Sequence, residues 1–168
     1  MTLWMVRCDQ GRNFDDFVGR GFVSLGWHTE GDPRGMDPDA LREAIARGTP
    51  GMRQSLVAAG AAMVRRFAAL PEPGDSVLTY SPPRRRYAIG EIASEYVHDP
   101  SLRLPNARKR HSHLRRVLWR GLLPRESLPE PARNALQPTI SFFQVRPEAE
   151  REIERAFERA SEPLTDGA

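Results

Sequence analysis

The stretch from Gly74 to Pro100, GDSVLTYSPPRRRYAIGEIASEYVHDP, constrains the fold more than any other part of the chain, because it reads as one long β-hairpin. Gly74-Asp75 is a turn, and Val77 and Thr79 alternate with Leu78 and Tyr80 until Ser81-Pro82-Pro83 breaks the strand. On the return, Tyr87, Ile89 and Glu91 alternate with Ala88, Gly90 and Ile92. The pattern predicts that Val77 to Ser81 and Tyr87 to Val97 pair antiparallel in a curved, barrel-like sheet. Gly90 inside a strand weakens pairing, so it marks a bulge or a place where a ligand or another backbone comes close.

Elements of both kinds surround the hairpin. Leu3 to Cys8 and Phe22 to Gly26 read as strands, and Asn13 as the cap of a short helix with Phe14, Phe17 and Val18 on one face. Asp37-Pro38 is a cap followed by proline at the first helical position, with Gly48 as the stop. Leu56, Met63, Val64, Phe67 and Leu70 keep helical spacing from about Met52 until Pro71. His113 to Gly121 and Thr139 to Val145 complete the strands. From Pro147, the residues Ile153, Ala156, Phe157 and Ala160 form a narrow apolar stripe on a surface helix. With 168 residues the chain suits one α+β core, residues 1–146, followed by a C-terminal helix and tail, 147–168.

Cys8 is the single cysteine, so neither a disulfide framework nor a cysteine-based zinc site can be built within the chain, and a reducing cytoplasm fits. No apolar run approaches a membrane span, and the N-terminus lacks the layout of a signal peptide, so no membrane partner is expected.

The net charge of +3 hides a strong local imbalance. Arg103, Arg108, Lys109, Arg110, Arg115, Arg116 and Arg120 lie in a stretch with no acid between Asp99 and Glu126, where Lys109 is the only lysine of the whole chain. Such a segment is either a solvated loop or a surface that attracts phosphates, and the strand that follows would fix part of it on a rigid element. Arg84, Arg85 and Arg86 at the hairpin tip are either a second contact or a charged turn that protects a sheet edge. Most aromatic residues sit where rings fill ordinary cores. Trp27 differs, because it follows Gly26 where a strand runs into the polar loop His28-Thr29-Glu30-Gly31-Asp32, a place where a ring can face a ligand.

Catalysis has no visible carrier, and the chain is not expected to be an enzyme. It has no GxxxxGKS phosphate loop, no GxGxxG and no nucleophile elbow, and its lone lysine cannot complete a (D/E)-x-K nuclease set. His111-x-His113 could present two imidazoles on one strand face, but no third ligand is nearby, so neither a metal nor another cofactor is expected.

The pattern Gly74-Asp75-x-Val77, Tyr80-Ser81, Ile89-Gly90-x-Ile92-x-x-Glu95-Tyr96-x-x-Asp99-Pro100 resembles the EVE branch of the PUA-like superfamily, whose relatives include YTH, ASCH and SRA domains. Leu3 to Val145 looks closer still to the reader domain that precedes the nuclease in Mrr-type and McrA-type modification-dependent restriction proteins. That likeness rests on Trp4-x-Val6-Arg7, Phe17, Gly21, Gly26-Trp27, Phe67, the Gly74-Asp75 hairpin, Arg115-x-Val117-x-Trp119 and Arg133-Asn134-x-Leu136. The arginine-rich tip after Pro82-Pro83 and the arginine-rich loop Leu102 to Ser112 depart from the family pattern.

The resemblance implies a PUA-like twisted mixed β-barrel flanked by helices that holds a flipped or unpaired, modified base in an aromatic pocket. The expected target is a modified cytosine in DNA, read by base flipping in bacterial defence, with a nuclease domain or subunit as a candidate partner. An RNA-binding YTH-like reader, or a protein or small-ligand interaction module in a defence or toxin system, are the alternatives. On this reading Trp27 and Tyr80 are stacking walls with Trp119 as a further candidate, and Ser81 and Arg7 read the polar edge. Arg108, Lys109, Arg110, Arg115, Arg116, Arg84 and Arg85 hold phosphates.

Overall fold

A computed structural model describes residues 1–164, so the last residues of the expected tail lie outside the described residues. The elements in chain order are β1 (Leu3–Val6), α1 (Phe14–Arg20), β2 (Phe22–Leu25), α2 (Pro38–Gly48), α3 (Gln54–Ala69), β3 (Ser76–Ser81), β4 (Arg86–Ile92), β5 (Val97–His98), β6 (His113–Pro124), α4 (Glu130–Ala135), β7 (Phe142–Gln144) and α5 (Pro147–Ala160). Asp37 caps α2 as its sequence suggests, accepting the Ala40 N–H at 2.8 Å. Asn13 precedes α1, but its amide makes no capping bond.

The strands form one mixed seven-stranded sheet in the order β2-β6-β4-β3-β1-β7, with β5 pairing β6 outside that path. β1 runs parallel to β3, and the other pairings are antiparallel. The sheet curls into a half-barrel. Phe22, Val23 and Leu25 from one end of the strand order share a single buried cluster with Trp4 and Phe142 from the other end. The aromatic rings there are closely set: Trp4 stacks on Phe142 at 5.0 Å, and Phe67 of α3 meets Phe142 edge-on at 5.3 Å. Asp75 ties the hairpin to β1, accepting from the Trp4 indole at 2.9 Å and the Thr2 N–H at 3.1 Å.

Both faces of the sheet are covered. Trp4, Val6, Val77, Ile92 and Val117 face α1 and α3, whereas Leu3, Met5, Leu78, Tyr87 and Ile89 face a second cluster closed by α4 and by Ala149, Ile153 and Ala156 of α5. None of the described helices is long and apolar enough to cross a membrane.

The hairpin forms with Val77 opposite Gly90 and Leu78 opposite Ile89. Its second strand is shorter than the sequence predicts. β4 stops at Ile92, and Val97–His98 form the separate β5, paired with Leu114 and His113 of β6. Within β4 the register against β6 shifts between Ile89 and Gly90, a bulge that bends the strand before pairing resumes through Ile92. A Cβ at Gly90 would lie 2.6 Å from Val117 Cγ1 and 2.8 Å from the Leu118 carbonyl, so the bulge and the close approach occur together.

Arg115 of β6 is buried, with 1% of its surface exposed. Its Nε and Nη2 donate to the carbonyls of Phe67 at 3.0 Å and Ala68 at 2.9 Å, and Nη1 reaches the Ser94 carbonyl at 3.4 Å. The guanidinium therefore satisfies the open carbonyl end of α3 and complements its dipole. Phe67→Ala should lower unfolding free energy by about 3–5 kcal/mol in chemical denaturation, since its buried ring makes two aromatic contacts in the core and lies under the Arg115 guanidinium. Arg115→Leu should cost about 1.5–3 kcal/mol in the same assay, because it removes the charged donor from the carbonyls of Phe67 and Ala68.

Candidate functional site

Trp27 follows β2 with a backbone φ of +59°, a left-handed conformation that bulky residues rarely adopt. Two contacts over-determine it. Its carbonyl accepts a 2.8 Å hydrogen bond from His113 Nε2, and its ring lies so close to α3 that a Cβ at Gly60 would sit 2.4 Å from Cδ2. Such strain costs on the order of 1–3 kcal/mol and persists where surrounding structure enforces it, typically at ligand-binding positions.

The loop that follows is pinned to the start of β6 and to β5. His98 Nε2 donates to the Thr29 carbonyl at 2.9 Å, and the Thr29 N–H donates to Ser112 Oγ at 3.1 Å. The Tyr96 hydroxyl and His113 Nδ1 lie 2.7 Å apart. Because His113 Nε2 must carry the proton given to Trp27, Nδ1 is the acceptor and Tyr96 the donor. Burial pushes the Tyr96 phenol well above its ordinary pKa, keeping that proton in place. His111 is equally engaged, its Nδ1 2.7 Å from Ser24 Oγ. The two imidazoles of His111-x-His113 thus make separate structural bonds.

The Trp27 ring lines a cavity of about 600 Å³, a volume that suits a small organic ligand. Arg47 near the end of α2 and Arg108, Lys109 and Arg110 from the loop before β6 form the cationic part of its wall, and Thr49, just after α2, adds a neutral hydroxyl. Lys109 Nζ stands over the Trp27 ring, 5.3 Å from its centre. Glu30 is the acid of this wall, within 2.8 Å of His28 Nε2 and 3.0 Å of Arg110 Nη1. Those hydrogen bonds, His28 first and Arg110 second, hold its carboxyl below the usual range, so it is an acceptor at neutral pH.

The predicted site residues divide. Trp27, Arg108, Lys109 and Arg110 come together here. Ser81, Arg84 and Arg108 line an adjoining cavity of about 710 Å³. Tyr80 does not join Trp27; it packs on Tyr87 at 4.5 Å against the cluster on the other face of the sheet. Arg7 lies on that side too, close enough to Tyr87 to act on its hydroxyl. Trp119 is tied into the frame, its indole donating to the Phe17 carbonyl at 2.7 Å. Arg115 is no phosphate ligand, being enclosed at the end of α3. Arg116 is exposed on β6 but lines neither cavity, and Arg85 pairs with Glu126 at 2.5 Å. Sequence reasoning missed Arg47 and Thr49, which only the packing of α2 brings to the site, and passed over His28 and Glu30 within a loop it had noticed.

A family model described as a domain of unknown function (DUF8426) matches residues 4–134. The chain belongs to this family. No curated protein matches it. Among solved structures, the YTH domain of the Zygosaccharomyces rouxii MRB1 protein, in complex with N6-methyladenosine RNA, is similar with a TM-score of 0.52 and 15% identity, covering 98% of this chain and 91% of that one. The likeness shows a PUA-like, YTH-type fold for this DUF8426 member.

Burial holds the pKa of both His111 and His113 down to about 4, against an ordinary 6.5. The unfolded chain therefore takes up protons that the folded one refuses between those values. Their contribution to stability is full above pH 6.5 and is lost as pH falls toward 4. Melting temperature should drop across that window, and His113→Gln should flatten the slope while lowering the plateau.

Proposed function

We propose that this DUF8426 member is a nucleic-acid-binding reader that holds a modified base against Trp27 and its flanking phosphates on Arg108, Lys109 and Arg110. The observation that carries the reading is Trp27 itself: a large ring held in a strained backbone on the wall of a cationic cavity. A base stacked on an aromatic ring gains about 1–3 kcal/mol whatever its identity. The ionised Glu30 supplies an acceptor for the exocyclic amine that cytosine and adenine both carry. The arginines and Lys109 supply the sequence-independent grip.

For the target, we favour a modified cytosine in DNA, with a nuclease domain or subunit as partner in a defence role, on the resemblance to Mrr-type and McrA-type reader domains. A modified adenine in RNA is the second reading, favoured by the N6-methyladenosine RNA in the similar YTH domain. The reading includes no chemical step. Purified protein should neither cleave nucleic acid nor release or deaminate a base; activity that survives repurification and vanishes on changing one carboxylate overturns that part.

Binding of oligonucleotides carrying different modified bases, in single- and double-stranded DNA and in RNA, tests the reading. Trp27→Gly, in which glycine accepts the left-handed backbone, should lower the preference for the cognate base more than background affinity. Arg108→Ala with Arg110→Ala should weaken all oligonucleotides alike and flatten the salt dependence. A folded Trp27→Gly protein with unchanged base preference, checked by melting temperature, refutes the pocket.

A further inference from the structure

We infer that the second cavity is a subsite for the nucleotide adjoining the one held against Trp27, so that a single strand crosses Arg108 from one cavity into the other. The inference rests on the base-reader proposal and adds a direction to it: the strand runs from Trp27 toward α1 and the hairpin tip.

Three observations carry it. The first is continuity, since the exposed Arg108 lines both cavities and so serves as the ridge in this reading. A strand with neighbouring nucleotides in the two hollows would pass its connecting phosphate by the arginine that they share.

The second is that the hollow is built in advance. Asp9, Gln10 and Gly11 all have positive φ, and the resulting turn presses on the hairpin break: a Cβ at Gly11 would lie 2.6 Å from Pro82 Cδ and 2.7 Å from the Tyr80 carbonyl. Asp9 Oδ2 also accepts the Arg108 N–H at 2.9 Å, which ties the ridge to the same turn. Floor, ridge and far wall are therefore fixed to one another before any ligand arrives, which spares ordering cost on binding.

The third is chemistry. Arg12, Arg84 and Arg108 border the hollow, whereas Asp15, its one acid, is already paired with Arg84. The Arg84 guanidinium lies over the Phe14 ring, 5.5 Å from its centre, and a guanidinium plane supported in this way offers a flat surface for stacking a base. Ser81 and Asn106 supply neutral hydrogen-bonding groups for a base edge or sugar. Cations with a stacking plane and neutral polar groups suit a nucleotide.

The test uses competition against a labelled five-nucleotide strand carrying a central 5-methylcytosine (DNA) or N6-methyladenosine (RNA). Mononucleotides and trinucleotides with the same modified base compete. For the wild-type chain the trinucleotide should compete at least ~5-fold better than the mononucleotide. Arg12→Ala with Arg84→Ala should remove most of that gain, leave the mononucleotide within about twofold and flatten the salt slope by roughly 0.7 for each phosphate released. A folded double variant with an undiminished trinucleotide advantage, or a wild-type chain with no such advantage, overturns the subsite and leaves the Trp27 pocket standing. Failure of the wild-type chain to bind either labelled strand overturns the reader proposal itself, and this inference with it.

Discussion

The hydrogen bond from His113 to the Trp27 carbonyl is the joint on which the site depends. It fixes the left-handed turn that aims Trp27, and it receives its own orientation from Tyr96 through the other ring nitrogen. Two residues further along β6, Arg115 fastens the end of α3, the helix whose Gly60 seats the Trp27 ring. One strand thus positions the aromatic wall twice, once through its backbone and once through the helix behind it. Glycine at position 60 is required there, since any side chain would occupy the space of the ring.

Electrostatics sort the arginines by company rather than by number. Along the hairpin tip Arg84, Arg85 and Arg86 each face a carboxylate, from Asp15, Glu126 and Glu162. Exposed pairs of this kind add little stability, but they moderate the local charge. Arg108 and Lys109, by contrast, are exposed and take part in none of the described ion pairs. Two cations beside the Trp27 cavity thus keep their charge outside the described pairs, although the run of three arginines is the louder signal in the sequence.

What was legible in the sequence follows the same physics. Alternation along Val77–Ser81 and Tyr87–Ile92 revealed the hairpin, and the isolated Gly90 revealed its bulge, because both are local consequences of backbone geometry. Trp27 stood out as a large ring at the mouth of a polar loop, although its ring also packs against two of the core clusters. Tyr80 and Arg115 were misplaced for one shared reason. In a sheet with both faces buried, alternation separates the faces without saying which one lies beside the Trp27 cavity, and a strand arginine looks solvated until the helix end it serves is in view. Arg47 was invisible because its role depends on where α2 packs, and nothing in its own helix records that.

The division of labour between buried frame and exposed lining sets how this family can change. His113, Tyr96, Arg115 and Gly60 are locked into packing and hydrogen bonds, so alterations there are felt as lost stability. Arg47, Arg108, Lys109 and Arg110 stand on the surface, where single replacements are thermodynamically mild. The chemistry of the lining can therefore drift from one descendant to the next while the scaffold stays constant, and members that share every frame residue need not present the same surface.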